Sequence, residues 1–240
     1  MTILFYPDNL KPNCKLFLAL KDLGINFHSD INKEYDLAFF WSYKSCFTPQ
    51  DNFVKNNIFL NKGCYDVSKT RVSDIYDNLI VDPTNYNGSV VRKTENQCSK
   101  DDTLVTCPTK KENGFIYRKY IDTYENNFHI VYRLFYMGGP SILTKKFFKD
   151  LGKTFVKWEE VPLSIISEKK IQKIILNSNE FGVDFAEIDL LKDKDGNFYV
   201  IDINNVAGYS NLWTNKNNIN LYEKYKKEVN VFLNKKINSI

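Results

Sequence analysis

Short apolar runs and one stretch of helical period alternate along the first part of the chain. Residues 2–6, 25–28 and Leu37–Trp41 are rich in apolar side chains and are separated by polar or turn-forming segments. Between the first two runs, residues 12–23 repeat leucine and alanine near helical spacing, and Gly24 follows where helices commonly end. Strands that alternate with a helix predict a small parallel sheet.

The remainder of the chain shows a different pattern, in which β-rich segments are separated by polar or glycine-containing turns. Two apolar runs, residues 183–191 and 198–203, flank a turn segment at 192–197 and predict a hairpin. The pattern favours an α+β arrangement in this part. Further strands are predicted over residues 89–93, 114–121, 128–137 and 154–158, and helices over 68–79 with Ser68 as N-cap, 168–180 and 221–237.

The change of pattern predicts two domains, with the boundary somewhere in residues 61–88. We assign residues 1–60 to a small N-terminal α/β domain and residues 61–240 to a larger α+β domain. The length of 240 residues is compatible with one large domain or two small ones. No internal repeat is present.

Composition narrows the class of protein. Hydrophobic residues make up 43% of the chain and aromatic residues 15%, enough to build a core and to exclude global disorder. The 33 basic and 29 acidic residues leave a net charge of only +4. A DNA-binding protein normally carries a concentrated basic patch, and none is evident, so we expect no nucleic-acid partner.

Cysteine and histidine usage argues against a zinc site or a disulfide framework. The two histidines, His28 and His129, are far apart in sequence, and none of the five cysteines has CxxC spacing. The N-terminal apolar run is too short for a signal peptide, and no run approaches the ~18 apolar residues of a membrane span. We therefore expect a soluble cytoplasmic protein that does not contact a membrane.

Three oxygen-bearing side chains stand out in the predicted hairpin. Asp189 lies in its first strand, and Asp202 and Asn204, two residues apart, project from one face of its second strand. Such a set can hold Mg²⁺, which prefers a few carboxylate or amide oxygens together with water and phosphate. The alternative is a polar hairpin with solvated acids, but both aspartates interrupt apolar strands, where an unpaired charge is costly to bury.

This hairpin resembles the metal-binding hairpin of the ATP-grasp superfamily. The matching string is DFAEIDLLKDKDGNFYVIDINNVAG. Asp189 matches the first acid of the family pattern and Asn204 the asparagine, while Asp202 stands where glutamate is usual. An Ala207-Gly208 pair replaces the usual Pro-Gly. The resemblance implies an ATP-grasp fold preceded by a small Rossmann-like α/β domain, with Mg²⁺ on Asp189, Asp202 and Asn204.

A second string, FIYRKYIDTYENNFHIVYRLFYMGG, is similar to the family's hinge strand followed by an arginine-bearing strand. By this resemblance the backbone of Lys119, Tyr120 and Ile121 faces the adenine. Arg133 meets the phosphates or the acyl intermediate and is the candidate catalytic residue. The family often has an acidic residue where Lys119 stands, which leaves backbone contacts to adenine unchanged.

Two lysines match the family's phosphate-binding positions. Lys93 ends the string GSVVRK, and Lys69 lies in the earlier string VSKTRVSD. The family usually follows the first of these strands with a glycine-rich loop over the phosphates, whereas residues 94–102 contain no glycine. Backbone approach to phosphate is harder without glycine. Ser99, Lys100 or Thr103 can contact phosphate instead, or the loop is not a phosphate clamp.

Arginine is scarce, which singles out the few that are present. The four arginines, Arg71, Arg92, Arg118 and Arg133, stand against 29 lysines and all fall in the segment assigned to nucleotide and substrate. Arginine binds carboxylate or phosphate through a planar fork that lysine lacks. The alternative for each is a surface salt bridge; Arg133, within an alternating strand, is the strongest candidate.

The resemblance implies an ATP-dependent ligase. ATP phosphorylates a carboxylate, an amine or another nucleophile displaces phosphate from the acyl phosphate, and ADP and phosphate are released. The implied partners are a small-molecule or peptide carboxylate and an amine, with ATP and Mg²⁺ as cofactors; a homodimer stays open. A kinase on the same fold and a non-catalytic nucleotide-binding protein are the alternatives, and the products of the reaction discriminate among the three.

Overall fold

The computed structural model of the chain describes residues 1–47, 58–95, 102–151, 153–206, 208 and 218–239. Three sheets and four helices account for most of this part. The helices are α1 (Lys15–Asp22), α2 (Lys69–Tyr76), α3 (Glu168–Phe181) and α4 (Ile219–Ile237).

The N-terminal sheet is parallel and has the strand order β2-β1-β3-β4. Every residue of β3 is buried, as expected for a central strand of a parallel sheet covered on both faces. Helix α1 follows β1, and its first turn is capped by the Cys14 sulfur, which accepts from the Phe17 amide. The strands are β1 (Thr2–Pro7), β2 (Asn26–His28), β3 (Leu37–Trp41) and β4 (Ile58–Leu60).

A small antiparallel sheet comes next in the chain and has the order β6-β5-β7. Its small core includes Val90 and Tyr117, with Tyr86 packed against them. Helix α2 precedes this sheet and begins at the predicted cap, because the Ser68 hydroxyl accepts from the Arg71 amide. The strands are β5 (Gly88–Thr94), β6 (Thr103–Cys107) and β7 (Phe115–Lys119).

The largest sheet is antiparallel, with the order β11-β10-β9-β12-β13 and the short β8 paired to β9. Alternation along these strands separates two faces. Side chains such as Ile188 and Leu190 pack with α2 and α3 in one hydrophobic cluster. The strands are β8 (Tyr124–Glu125), β9 (Phe128–Met137), β10 (Pro140–Phe148), β11 (Phe155–Val161), β12 (Phe185–Lys192) and β13 (Phe198–Asn204).

The opposite face of this sheet carries Arg133, Glu187 and Asp189 and is called the charged face below. One end of the charged face borders a second hydrophobic cluster. This cluster contains Phe135 and Phe185 together with residues of the N-terminal sheet, α1 and α4. The N-terminal sheet therefore shares its core with the last helix of the chain. As a result, the start of α1 lies against the charged face.

The predicted elements are present, most of them with shifted ends, and four of the described strands were not predicted. The parallel arrangement of β1, β2 and β3 and the hairpin of β12 and β13 agree with the pattern. Strands β4, β6, β8 and β10 were missed, β10 because it begins at Pro140 after two glycines. The domain boundary at residue 60, the cytoplasmic location and the homodimer stay predictions. Within the described residues, no helix combines the length and the apolar character needed to cross a membrane.

Candidate active site

Strand register brings the predicted catalytic arginine and the two predicted metal-binding aspartates into one row. Arg133 on β9 lies opposite Asp189 on β12, and Asp189 lies opposite Asp202 on β13. Thr144 on β10 extends the row on the other side of Arg133. Directly opposed residues on neighbouring strands project from the same face. The row therefore crosses the charged face through four adjacent strands.

Asp189 is held by two cations. Arg133 donates from Nε to Oδ1 over 2.8 Å and from Nη2 to Oδ2 over 2.9 Å, which is the bidentate geometry of a guanidinium on a carboxylate. Lys146 on β10 donates from Nζ to Oδ1 over 3.0 Å. Burial raises the pKa of Asp189, but the charges of Arg133 and Lys146 outweigh it and hold that pKa well below its usual range. Burial, together with the charge of Arg133, lowers the pKa of Lys146 to about 8.

Glu187, two residues earlier on the same face, joins this cluster to the N-terminal sheet. Its Oε1 lies 2.6 Å from Nζ of Lys15, the first residue of α1, and both side chains are 1% exposed. Oε2 accepts from Arg133 Nη1, and Oε1 also accepts from the Gly208 amide over 3.1 Å. Burial raises the pKa of Glu187, and the charges of Lys15 and Arg133 more than offset this, so that the net shift is downward.

Trp158 on β11 lies beside the three cations of this cluster. Its ring centroid is 5.5 Å from Lys146 Nζ and 5.7 Å from both Arg133 Cζ and Lys15 Nζ. The register explains the position, since Trp158 is opposite Lys146 on the neighbouring strand. An indole face attracts cations and excludes water from them. Together these residues form the cation cluster: Lys15, Arg133, Lys146 and Trp158, with Glu187 and Asp189 as its anions.

Asp202 lies in a different environment. Its Oδ1 accepts from the Ile203 amide over 3.1 Å, and no ion pair to it exists among the described residues. Burial and the negative charge of Asp189 raise the pKa of Asp202, against the smaller opposing effect of Lys69, Lys93 and Arg118. A partly buried carboxylate with cations only at longer range is a group that a bound metal ion can neutralise.

The cations that act on Asp202 come from outside the large sheet. Lys69 at the start of α2 donates to the Glu95 carbonyl over 3.0 Å, and burial lowers its pKa. Lys93 on β5 pairs with Asp102 at 2.9 Å. Arg118 on β7 is buried, donates to the Ile201 carbonyl over 3.3 Å and has its pKa lowered by burial. The small sheet and α2 thus present three cations to one end of the charged face.

Next to these cations, an apolar cleft lies between the small and the large sheet. Val91 and the segment from Arg118 to Ile121 line one side, and Leu191 and Ile201 line the other. The Lys119 amide donates to the Leu79 carbonyl over 2.9 Å, and the Tyr120 amide donates to the Ser89 carbonyl over 3.0 Å. Among the described residues, no backbone carbonyl accepts a hydrogen bond from the Ile121 amide. The Lys119 side chain is exposed.

The predicted metal ligands share one face, but they differ in availability. Asn204 lies opposite Glu187, and its Nδ2 donates to the Glu187 carbonyl over 3.3 Å. The side-chain oxygen of Asn204 takes no part in this hydrogen bond. Among the described residues no three His, Cys, Asp or Glu side chains converge on one point. Two carboxylates and an amide fit Mg²⁺, which needs few protein ligands. Asp189 fits only if it exchanges its contacts to Arg133 and Lys146 for the metal.

Sequence reasoning missed four members of the cation cluster. Glu187 was visible in principle, because it stands two residues before Asp189 and therefore on the same face. Lys146 was missed together with its strand, β10. For Trp158 the sequence favours packing in the core or between domains, and Lys15 carries no local signal. Of the loop candidates, Ser99 and Lys100 lie outside the described residues, and Thr103 is the exposed first residue of β6.

The fold is similar to solved structures of ATP-grasp ligases. The ligase PsnB, complexed with a phosphomimetic variant of its minimal precursor, Mg and ADP, matches with a TM-score of 0.61 and 10% identity over 95% of this chain and 97% of that chain. The D-alanine–D-alanine ligase of Bacillus anthracis complexed with ATP matches with a TM-score of 0.61 and 12% identity over 99% of this chain and 97% of that chain.

A third likeness is to the macrocyclase MdnC bound with the precursor peptide MdnA, from Microcystis aeruginosa MRC. It has a TM-score of 0.54 and 11% identity over 95% of this chain and 98% of that chain. No family model matches the sequence, and no curated protein matches it. At identities this low, the likeness concerns the fold.

Proposed function

Because this chain has the ATP-grasp fold, we propose that it is an ATP-dependent ligase that activates a carboxylate as an acyl phosphate and couples it to an amine or another nucleophile. The observation that carries the proposal is the row of Arg133, Asp189 and Asp202 across three adjacent strands. An apolar cleft and three cations flank the Asp202 end of this row, and Lys15 and Lys146 lie at the Arg133 end.

The cleft and the three cations support nucleotide binding. Val91, Leu191 and Ile201 offer apolar surface to a purine, and the Ile121 amide is the hinge donor that remains for it. Lys69 and Lys93 would bind the phosphates, and Arg118 adds a buried charge beside them. An apolar cleft that Arg118 lines, with two lysines nearby, supports binding of a purine that carries phosphates.

The metal would be held by Asp189, Asp202 and Asn204. A magnesium ion held by these residues would supply positive charge that favours phosphoryl transfer. The raised pKa of the partly buried Asp202 supports this, since a cation would relieve the cost of its charge.

Arg133 would act at the carboxylate that receives the phosphoryl group. A carboxylate oxygen of the substrate attacks the γ-phosphorus, ADP leaves, and the nucleophile then adds to the acyl carbon and expels phosphate. Both steps build negative charge on oxygens beside a guanidinium that is fixed within a sheet. Preorganised donors of this kind are worth ~3–4 kcal/mol each to the barrier.

Calorimetry with ATP in the presence and absence of Mg²⁺ tests the nucleotide site. We expect binding that depends on Mg²⁺ and that is lost in Asp202→Asn. The matched control is Asp195→Asn, which removes an exposed aspartate from the turn between β12 and β13. Absence of heat at millimolar ATP in the unaltered protein would contradict the proposal.

A screen of carboxylates and amines for ATP turnover tests the reaction itself. ADP with phosphate and a coupled product supports a ligase. ADP with a phosphorylated acceptor means that the protein is a kinase on the same fold. Nucleotide binding without turnover across the screen favours a nucleotide-binding protein without catalysis.

A further inference from the structure

The cation cluster already binds a carboxylate, namely that of Asp189. The Arg133 guanidinium holds both oxygens of this carboxylate, Lys146 adds a third donor, and the Trp158 ring covers both cations. Asp189 is 9% exposed and the Lys146 residue 7%, so the interaction is shielded from water. These contacts are the ones that a bound carboxylate ligand would make.

Metal binding competes for the same carboxylate. Asp189 Oδ1 already accepts from both Arg133 Nε and Lys146 Nζ, so a cation on the Asp202 side can take both oxygens of Asp189 only if these contacts are released. When Asp189 turns to the metal in this way, Arg133 keeps only Glu187, and the buried Lys146 loses its anion. An unpaired buried charge is costly, so another anion is favoured in its place.

The neighbouring anion cannot fill this place. Glu187 already accepts from Lys15, from Arg133 Nη1 and from the Gly208 amide. A Cβ built on Gly208 would lie 3.4 Å from Glu187 Oε2 and 3.5 Å from Arg133 Nη1, which shows how closely the chain covers this side of the cluster. The vacated position beside Lys146 therefore stays cationic and open to a ligand.

We propose that Lys146, together with Arg133 and under the ring of Trp158, forms the subsite for the acyl group of the substrate, and that Asp189 occupies this subsite until it turns to the metal. The inference rests on the proposed function and adds Lys146 and Trp158 to the residues that bind the acyl substrate. It predicts that the acyl substrate binds after the metal–nucleotide complex, because the nucleotide-free protein fills the subsite with its own carboxylate.

Calorimetry with acetonylphosphonate, a hydrolysis-resistant analogue of acetyl phosphate, tests the subsite without any catalytic turnover. The unaltered protein should bind this probe about tenfold or more tightly in the presence of Mg²⁺ and ADP than in their absence, because a charge-assisted hydrogen bond is gained only when Asp189 has moved. If the probe bound equally tightly with and without Mg²⁺ and ADP, Asp189 would not compete with the substrate for this subsite, and the inference would be refuted.

Two variants separate the roles of the aspartates without nucleotide. Asp189→Asn removes the internal anion and should bind the probe without Mg²⁺ or ADP. Asp202→Asn removes a proposed metal ligand but keeps the Asp189 contacts, and it should not bind the probe in either condition. Probe binding to metal-free Asp202→Asn would overturn the inference. If Asp189→Asn does not fold, the comparison of probe affinity for the unaltered protein with and without Mg²⁺ and ADP tests the inference instead.

Neighbouring lysines on β10 provide a matched control. Lys146→Met should weaken probe binding about tenfold or more, and Lys146→Arg should retain most of it, because a charge that donates to the ligand is kept. Lys145 points to the opposite face and pairs with the exposed Glu125, so Lys145→Met should leave probe binding unchanged. Equal effects of the two methionine variants would mean that Lys146 is only structural.

Failure of this inference is distinguishable from failure of the proposed function. If the protein does not bind Mg²⁺ and nucleotide, the ligase proposal fails, yet Asp189→Asn still reports on the subsite. If Mg²⁺ and ADP bind but the probe binds neither that complex nor Asp189→Asn, the subsite is refuted and the nucleotide site stands.

Discussion

Asp189 and Asp202 lie opposite each other on adjacent strands of one sheet, yet their surroundings shift their pKa values in opposite directions. Asp189 is compensated by Arg133 and Lys146, and its pKa is lowered. Asp202 is partly buried beside another carboxylate, and its pKa is raised. The ionised form of Asp189 is therefore stabilised in the folded protein and that of Asp202 is destabilised, because only Asp189 has cations in direct contact.

The origin of the cations explains this difference. Arg133 and Lys146 belong to β9 and β10 of the same sheet, so strand pairing alone brings them to Asp189. The cations that act on Asp202 are carried by α2, β5 and β7, outside that sheet. The first carboxylate is therefore compensated from within its own sheet, whereas the second depends on cations from outside that sheet.

Removal of Glu187 should have the largest effect on stability. Glu187→Leu leaves Lys15 buried without its partner, and breaking a buried ion pair in this way typically costs ~3–5 kcal/mol. Urea unfolding of the metal-free protein measures the change. The double variant Lys15→Met/Glu187→Leu is the control, because it removes both charges and should recover much of the loss. A double variant as unstable as the single one would mean that shape, not charge, matters there.

Arg133→Lys should damage turnover more than nucleotide binding. Lysine keeps the charge but loses the planar fork, and we expect kcat to fall ~10²–10³-fold while ATP affinity stays nearly unchanged. Steady-state kinetics on an active substrate pair, together with ATP calorimetry, separates the two effects. A loss confined to ATP affinity would make Arg133 a nucleotide anchor, and no change in either would refute the assignment of this strand.

Asparagine substitutions at the two opposed aspartates should change stability in opposite directions. Asp189→Asn should cost ~2–3 kcal/mol, because it leaves the buried Lys146 without its anion and Arg133 with Glu187 alone. Asp202→Asn should be neutral or stabilising, since it removes a partly buried charge beside another carboxylate, where the pKa is raised. Melting temperatures without metal or nucleotide measure both. A large drop for Asp202→Asn would instead make that carboxylate part of the sheet's own stability.

The smallest predicted effects concern the nucleotide side. Lys69→Met should weaken binding of Mg²⁺·ATP about tenfold, because a buried charge near the phosphates is removed. Lys119→Met should have almost no effect, since that side chain is exposed and the expected contact to the base is through backbone. Calorimetry at one fixed ionic strength compares the two. Similar losses for both lysines would indicate nonspecific attraction to the phosphates.

Local sequence was sufficient for the elements that have a clear pattern. Helix α2 begins after Ser68 as predicted, and the alternating strand β9 was predicted with its exact ends. The ATP-grasp fold was predicted from the hairpin and the ordered motifs, and the structural likenesses confirm it. Strand β10 was missed because Gly138, Gly139 and Pro140 look like a loop, although they form its turn and its first residue.

The roles assigned to Lys69, Lys93, Lys119, Tyr120 and Ile121 stay predictions, as do the metal ligands and the catalytic role of Arg133. The structure adds the contacts between cations and carboxylates and their distances.

The sequence by itself determined which residues share a strand face, because side chains alternate along an extended chain with a period of two. That rule put Asp202 and Asn204 on one face of β13 and Arg133 within an alternating strand, β9. Only the tertiary structure decided that Arg133 and Lys146 lie on Asp189 and that Lys15 reaches Glu187 across 172 residues of chain. Strand order, register and the docking of α1 set these contacts, and they depend on burial of the whole core rather than on any local pattern.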